Sequence, residues 1–230
     1  DAAQALGAGY RGKPVGTQAD MTMFSFHPVK SITTGEGGVI VTDNEEYAGA
    51  LRLFRSHGIS KEAKTFARKS HGAWYQEMQA LGFNYRMPEM SAALGESQLK
   101  RLNSFITKRR AAAARYQKLL AKVPNLILPP PERSHEQSAW HLYPIRLAPL
   151  IAAKRDAVFA KMRNAGIGVQ VHHVPVHRHV YYESLGCKKG MCPNAEAFVD
   201  SEISIPLFPK VTLAQQRFIA NTLKKILTTL

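Results

Sequence analysis

The sequence is poor in cysteine and contains no long apolar run. Its 230 residues include two cysteines, Cys187 and Cys192. Two thiols do not make a disulfide framework, and their C-x4-C spacing has no second ligand pair nearby, so reduced thiols are favoured over a zinc site. No apolar run approaches the roughly 20 residues of a membrane span. The first residues, DAAQALGAGYRGKP, lack the basic start and apolar block of a signal peptide. We therefore expect a cytoplasmic protein without membrane contact or metal.

Acidic residues are also scarce. The sequence contains 17 Asp and Glu against 31 Lys and Arg, which gives a net charge of +14. Such a charge is typical of nucleic-acid binding. However, the basic residues are scattered, and no nucleic-acid-binding motif accompanies the densest run, Lys108 to Arg110, which we expect on a solvated helix face. We expect no nucleic-acid partner. A basic surface also attracts phosphate-bearing small molecules, so a basic, non-enzymatic binding protein stays as the competing class.

Periodicity predicts a mixed α/β chain. Alternating runs indicate strands at 22–27, 37–42 and 168–173. Helices are expected over 44–56, from Pro88 to about Lys122, and from Thr212, where Gln215 completes a capping box. The two tryptophans, Trp74 and Trp140, are expected in the core.

The segment TMFSFHPVKSITTGEGGVIVT places one lysine, Lys30, between two strand-like runs. Most lysines in turns simply point at solvent. Here the hydroxyl of Ser25 lies five residues earlier and can bind a phosphate oxygen. Thr33 and Thr34 follow closely, and the glycines at 37 and 38 permit a tight backbone approach. These neighbours indicate an amine beside a phosphate.

An amine beside a phosphate fits pyridoxal 5′-phosphate. A lysine amine forms a Schiff base with an aldehyde when its ammonium form is disfavoured, and this cofactor carries both an aldehyde and a phosphate. The cofactor also needs an anion beside its ring nitrogen. Asp1, which lies 29 residues before Lys30, is the candidate.

Three stretches carry a family resemblance: DAAQALGA, then FSFHPVKSITTGEGGVIVT, then LFRSHGI. Together with WYQEMQALGFNYRMPEMSAALGESQL, SAWHLYPIRL, HHVPVH and CPNAEAF, they resemble the DegT/DnrJ/EryC1/StrS sugar-nucleotide aminotransferases over nearly the whole chain. Within that family, WYQEMQALGFNYRM, HLYPI and CPNAE are similar to the branch that makes pseudaminic acid precursors. That branch aminates UDP-4-keto-6-deoxy-N-acetyl-L-altrosamine-type sugars at C4.

The resemblance implies roles for individual residues. Lys30 is similar to the lysine that holds the cofactor covalently, and Asp1 to the aspartate on the pyridine nitrogen. Three more residues match cofactor contacts. Gln4 matches the residue that bonds the phenolic oxygen, and Ser25 matches the serine that binds the phosphate. Asn84 matches the asparagine that reaches the cofactor phosphate from the second subunit of the dimer. Matches near the substrate are Arg86, His172, His173 and His177. A turn residue at 84 and satisfied structural histidines are the alternatives.

The resemblance also implies the type I, aspartate aminotransferase-like fold, a homodimer with shared active sites, and two parts of the chain. Residues 1–100 would be the later part of the large cofactor-binding domain, without its N-terminal part. Residues 101–230 would be a linking helix and the small α/β domain. We expect an N-terminal portion to be missing, including a phosphate-binding loop and a ring that stacks on the cofactor.

The activity implied is transfer of an amino group from glutamate to the keto carbon, expected at C4, of a nucleotide-linked deoxy sugar for surface glycan or glycoprotein synthesis. The related sugar dehydratases carry histidine in place of this lysine, so Lys30 argues against their chemistry. An inactive or split-enzyme fragment of the family stays as the alternative.

Overall fold

A computed structural model of the chain describes residues 1–70 and 72–229. Ten strands and seven α-helices are formed by the described residues. The strands are β1 Gly9–Tyr10, β2 Lys13–Pro14, β3 Thr22–Ser25, β4 Gly38–Val41, β5 Ile59–Ser60, β6 Glu77–Met78, β7 Leu126–Ile127, β8 Glu136–Gln137, β9 Tyr143–Leu147 and β10 Glu202–Ile205. The helices are α1 Glu45–Phe54, α2 Glu89–Leu99, α3 Leu102–Leu120, α4 Arg155–Asn164, α5 Val180–Ser184, α6 Pro193–Ser201 and α7 Leu213–Thr228. Short 3-10 turns span Ala63–Thr65, Pro149–Lys154 and Val176–Arg178.

The chain divides into two compact units. The first unit comprises Asp1–Asn103 with His135–Gln137, and the second comprises Ser104–Ser134 and the chain from Ser138 onward. The assignment of 1–100 to a large domain and 101–230 to a small domain stays a prediction. Each unit is described here by itself.

In the first unit, β3 and β4 pair as an antiparallel hairpin with Thr22 opposite Val41 and Ser25 opposite Gly38. The two strands predicted from alternation are therefore confirmed, with shorter bounds. Helix α1 follows, and the side chain of Asn44 accepts the backbone N–H groups of Glu46 and Tyr47, which are otherwise unpaired in a first turn.

A single long helix was predicted from Pro88 to about Lys122. That prediction is wrong in one respect, because the segment forms two helices. Helix α2 ends at Leu99, and α3 begins at Leu102. The amide of Arg101 bonds Gln98 O at 3.0 Å, three residues back. This tighter turn interrupts the regular four-residue ladder. The break lies next to the boundary between the two units.

The second unit is built on an antiparallel sheet in the order β10-β9-β7. Strand β9 alternates, with Tyr143, Ile145 and Leu147 buried. The strand predicted at 168–173 is wrong: only Gln170 pairs, in an isolated bridge with Ser204. The next amide of the would-be ladder, that of His172, instead donates to the side chain of Glu202 at 2.8 Å. A carboxylate has therefore replaced the carbonyl that would continue the strand.

Every strand pair among the described residues is antiparallel. No parallel strand pair is therefore formed within residues 1–70 and 72–229. As for membranes, no helix in this described part of the chain is both long and apolar enough to cross a bilayer.

Helices α3, α4 and α7 pack on the second unit's sheet and enclose its core. The capping box predicted at Thr212 and Gln215 is confirmed, and it starts α7, whose Leu223 is fully buried. Trp140 packs partly buried against this core, stacked on Tyr143 at 5.6 Å. The core position predicted for Trp74 is wrong, since its side chain is 76% exposed in the first unit.

The basic run Lys108 to Arg110 is not simply the solvated face that its charge predicts. Arg109 is buried, and its Nη1 donates to the carbonyls of Trp140, His141 and Leu207 at 3.0–3.1 Å. Burial without a carboxylate partner lowers the pKa of Arg109. The guanidinium therefore serves to hold buried backbone carbonyls, which removes one cation from any anion-binding surface.

Candidate functional site

Strand β3 ends at Ser25, and the chain then folds back on Phe26 before β4 begins. The amide of Phe26 donates to Gly37 O at 2.8 Å. The carbonyl of Phe26 accepts two hydrogen bonds, one from Thr34 N and one from Thr33 Oγ1, each at 3.0 Å. These bonds close residues 27–36 into a loop at the hairpin tip, which we call the lysine loop.

Lys30 lies half-buried in this loop. Its amide donates to His27 O at 2.9 Å, and His27 Nδ1 accepts the amide of Val29 at 3.3 Å. His27 therefore caps the turn that presents the lysine. Within residues 1–70 and 72–229 no hydrogen bond or ion pair is described for Lys30 Nζ. Among these residues, no carboxylate therefore competes for the amine.

The chain's first residues lie beside the same strand. The amide of Ala2 donates to Met23 O at 2.9 Å, and Asp1 Oδ1 accepts the amide of Ala3 at 2.8 Å. Asp1 is thus carried to the strand that ends at Ser25, while Gln4 lies on the turn that follows, with an exposed side chain. The structure therefore brings four predicted residues, Asp1, Gln4, Ser25 and Lys30, to one hairpin.

The glycines of the loop are needed for space. Gly37 has a φ of +149°, and a Cβ there would lie 2.5 Å from Thr34 Oγ1 and 2.9 Å from Met87 Cε. A Cβ at Gly38 would lie 2.9 Å from Phe24 O. The predicted tight approach is therefore confirmed, and the groups approached are the Thr34 and Met87 side chains and the backbone of Phe24.

Asn84 and Arg86 lie on a separate segment of the first unit. Asn84 forms an isolated bridge with Ser56, supported by Tyr85 N to Arg55 O at 2.9 Å. Both side chains, Asn84 and Arg86, are exposed, and the neighbouring Met87 packs near Gly37 at the end of the lysine loop. The predicted role of Asn84 at a second subunit's cofactor stays a prediction.

The three histidines of HHVPVH belong to the second unit and differ in their surroundings. His177 Nε2 lies 2.7 Å from Glu196 Oε1. His172 Nδ1 lies 3.2 Å from Glu202 Oε1, within ion-pair distance but outside hydrogen-bond alignment. His173 is exposed. For His177 the contact fits the alternative of a satisfied structural histidine, whereas the Nδ1 of His172 has no aligned hydrogen-bond partner among the described residues.

Reasoning from the sequence missed Glu196 and Glu202. Glu202 is fully buried, and Glu196 is nearly so. The available signal was the charged residue directly before the apolar stretch that begins at Ile203, since a carboxylate beside a buried strand needs donors. Their histidine partners lie 19 and 30 positions away, so local patterns do not reveal the pairs.

A lysine at a hairpin tip, a serine that ends the adjoining strand and an aspartate that lies beside that strand fit the class of pyridoxal phosphate-dependent transferases. The chain belongs to the DegT/DnrJ/EryC1/StrS aminotransferase family, whose model matches residues 1–224.

Individual relatives agree with this class. A UDP-4-amino-4,6-dideoxy-N-acetyl-beta-L-altrosamine transaminase of Campylobacter jejuni is 40% identical over 227 residues, which are 99% of this chain and 57% of that protein. Helicobacter pylori PseC, an aminotransferase involved in the biosynthesis of pseudoaminic acid, superimposes with a TM-score of 0.91 at 32% identity, over 100% of this chain and 59% of its own. The PLP form of the sugar aminotransferase Spr1654 of Streptococcus pneumoniae gives 0.89 at 29% identity, over 100% and 57%.

The family and the fold class predicted from the sequence are thereby confirmed, and the PLP-form neighbour supports the predicted cofactor. The chain spans somewhat under three-fifths of the length of these relatives.

Proposed function

We propose that the protein containing this chain is a pyridoxal phosphate-dependent aminotransferase. It would move an amino group from glutamate to the keto carbon, at C4, of a UDP-linked deoxy sugar used in glycan synthesis. The observation that carries the proposal is Lys30, half-buried and unengaged at the tip of a hairpin in a chain of this family. The name of the Campylobacter relative supports the UDP-sugar substrate and the pseudaminic acid branch.

The residues present fit the cofactor in part. Lys30 offers an amine and Ser25 a hydroxyl for the phosphate, both on one hairpin, and Asp1, beside the first strand of that hairpin, offers a carboxylate for the ring nitrogen. Asp1 Oδ1 already accepts the amide of Ala3, which fixes the carboxylate group while leaving Oδ2 for a second donor. Gln4 would bond the phenolic oxygen. Asn84 would reach the phosphate of a second subunit in a homodimer.

When bound, pyridoxal phosphate supplies the aldehyde that accepts the amine and the ring that withdraws electrons from the reacting carbon. The chain's own residues then divide the remaining work. Lys30 Nζ would carry the proton from the donor's α-carbon to the carbon that bore the cofactor's aldehyde, and in the second half-reaction from that carbon to C4 of the sugar. Asp1 would favour the protonated ring nitrogen through its negative charge. Ser25 would hold the phosphate and so keep the reacting carbon within reach of the amine.

Glycines 37 and 38 serve this function through backbone geometry. Neither glycine has room for a side chain, because a Cβ at Gly37 would collide with Thr34 and Met87 and one at Gly38 with the backbone of Phe24. A side chain at either glycine would push the loop off Phe24 or Met87 and move Lys30.

The proposal is tested by amino transfer itself. The chain, supplied with pyridoxal phosphate, is incubated with [15N]glutamate and a UDP-4-keto-6-deoxy-N-acetylhexosamine, and the product is followed by mass spectrometry and NMR. We expect 15N at C4 of the sugar and loss of transfer in Lys30→Arg, which keeps the charge and the fold. Transfer that survives in Lys30→Arg, or 15N at another carbon, would contradict the proposal. A chain without any transfer that regains it only when a second segment is added would identify a split enzyme.

A further inference from the structure

The two cysteines of the chain flank one tight turn in the second unit. The amide of Met191 donates to Lys188 O at 3.3 Å, and this bond closes a four-residue turn between Cys187 and Cys192. Gly190 supplies the φ of +92° within the turn. The chain therefore reverses direction between the two cysteines. Both thiols are free, and the proposed amino transfer uses neither of them.

Hydrogen bonds fix the backbone of both cysteines. Cys187 follows Gly186, whose φ of +97° ends α5, and the amide of Cys187 donates to Tyr182 O at 3.1 Å. This bond spans the last turn of the helix, as in the Schellman motif. Cys192 is the N-cap of α6, and its carbonyl accepts the amide of Glu196 at 3.0 Å. One thiol thus lies at the end of α5 and the other at the start of α6.

Exposure and charge at this turn favour reaction with an anionic disulfide. Cys192 is exposed, and Cys187 is half-buried. The side chains of Lys188 and Lys189 are exposed between them, and the N-terminus of α6 adds the positive end of a helix dipole. Reactive cysteines have such partly exposed, electropositive surroundings. A disulfide that carries carboxylates, such as glutathione disulfide, is attracted to such a surface.

We propose that Cys187 and Cys192 are a reversible thiol–disulfide pair, which joins the end of α5 to the start of α6 when it is oxidised. The Cys192 thiol loses its proton and attacks one sulfur of glutathione disulfide, which forms a mixed disulfide and releases one glutathione. The Cys187 thiol then loses its proton, attacks Sγ of Cys192 and displaces the second glutathione. Each departing glutathione takes up a proton. Two electrons and two protons thus pass from the protein to glutathione disulfide, and excess glutathione reverses both steps.

The disulfide closes a ring that includes Gly190. The amide of Gly190 donates to Glu196 Oε1 at 2.7 Å, and the same oxygen lies 2.7 Å from His177 Nε2. None of the residues of α5, all of which the structure describes, is buried. Hydrogen bonds therefore hold this helix and the turn after it more than core packing does. A covalent bond across the turn restrains both, which gives oxidation a structural readout.

The first test identifies the cross-link by mass spectrometry. The purified protein is incubated with glutathione disulfide, alkylated without reduction and digested with trypsin. Cleavage after Lys188 and Lys189 places the cysteines in peptides 179–188 and 190–210, so the disulfide joins two peptides that otherwise separate. A short linker gives an effective concentration in the millimolar range, so at about 0.1 mM glutathione disulfide the joined peptides should exceed glutathione adducts about tenfold. Excess glutathione should restore both thiols.

Serine variants and unfolding provide the controls. Cys187→Ser should keep glutathione on Cys192, Cys192→Ser should leave the half-buried Cys187 largely unmodified, and neither should give joined peptides. In urea the ratio of joined peptides to adducts should fall, because the native turn limits how far the two sulfurs can separate. In the oxidised protein, amide exchange at residues 185–190 should slow about tenfold or more, whereas the same treatment of Cys187→Ser should leave it unchanged.

Four results would overturn the proposal. A lasting glutathione adduct on Cys192 without joined peptides would show that the turn holds the Cα atoms farther apart than the roughly 7 Å that a disulfide spans. Joined peptides found only in covalent dimers on a non-reducing gel would assign the thiols to contacts between copies. Equal ratios in native protein and in urea would remove the role of the fold, and absence of any reaction would remove the site. None of these measurements depends on amino transfer.

Discussion

Gly82 lies where the segment that carries Asn84 crosses the end of α1, and the structure leaves no room there for an alanine methyl group. A Cβ at this position would overlap the amide nitrogen of Gly58 and lie 2.6 Å from Phe54 O. Both neighbours are backbone atoms, which cannot rotate away. Gly82→Ala must therefore move one backbone segment off the other.

The size of the effect follows from the bonds at this crossing. Phe83 N donates to Phe54 O at 2.8 Å, and His57 N donates to Phe83 O at 2.8 Å. An inserted methyl group in a tight site costs about 1–3 kcal/mol, and a weakened hydrogen bond adds about 1 kcal/mol. We therefore expect local destabilisation of roughly 2–3 kcal/mol. Gly49→Ala is the matched control: nothing lies near its Cβ position in α1, so alanine should stabilise the helix by about 0.5–1 kcal/mol.

The assay is amide hydrogen exchange followed by mass spectrometry of peptides covering 54–58 and 82–86. Since about 1.4 kcal/mol corresponds to a factor of ten, 2 kcal/mol should speed exchange at these amides roughly 30-fold. Gly49→Ala should leave them unchanged or slower. Wild-type exchange rates in Gly82→Ala would refute the packing argument.

Three further results are expected, all in the second unit. Leu223→Ala removes a fully buried side chain and should lower the free energy of unfolding in urea by about 2–5 kcal/mol; a loss under about 1 kcal/mol would show that the core around α7 is loose. Thr212→Ala removes the acceptor for Gln215 N and should cost about 1 kcal/mol in the same assay, whereas an unchanged midpoint would mean that the cap is unimportant. The pKa of Glu196 is lowered from 4.5, first by the hydrogen bond from His177. Its contribution to stability is therefore full above pH 4.5 and is lost as the pH falls through the lower folded-state pKa. Glu196→Gln should thus lose less stability than wild type between about pH 7 and pH 3, and equal losses in both proteins would contradict this.

Much of the local structure could be predicted because its determinants lie close in sequence. Alternation located β3 and β4, and Thr212 with Gln215 located the start of α7 three residues apart. The lysine loop was found because Ser25, Lys30 and the paired glycines fall within one short motif.

The rest depends on contacts between distant residues. The strand expected at 168–173 fails because Glu202, 30 positions beyond His172, takes its amide. In the sequence, Arg109 has the features of a surface cation. Only tertiary packing places it next to the carbonyls of residues 140, 141 and 207. Neither the charge nor the periodicity of the sequence indicates such distant partners. The same limit applies to Glu196, which pairs with His177, 19 positions earlier in the chain.

The cofactor linkage at Lys30 is the central claim, and one measurement addresses it most directly. The chain is incubated with pyridoxal phosphate, reduced with borohydride and digested, and the modified lysine is identified by mass spectrometry, with Lys30→Ala as the control. The account predicts a near-stoichiometric adduct on Lys30 that is absent from the variant. An adduct spread over exposed lysines such as Lys13, with Lys30 unmodified, would contradict it.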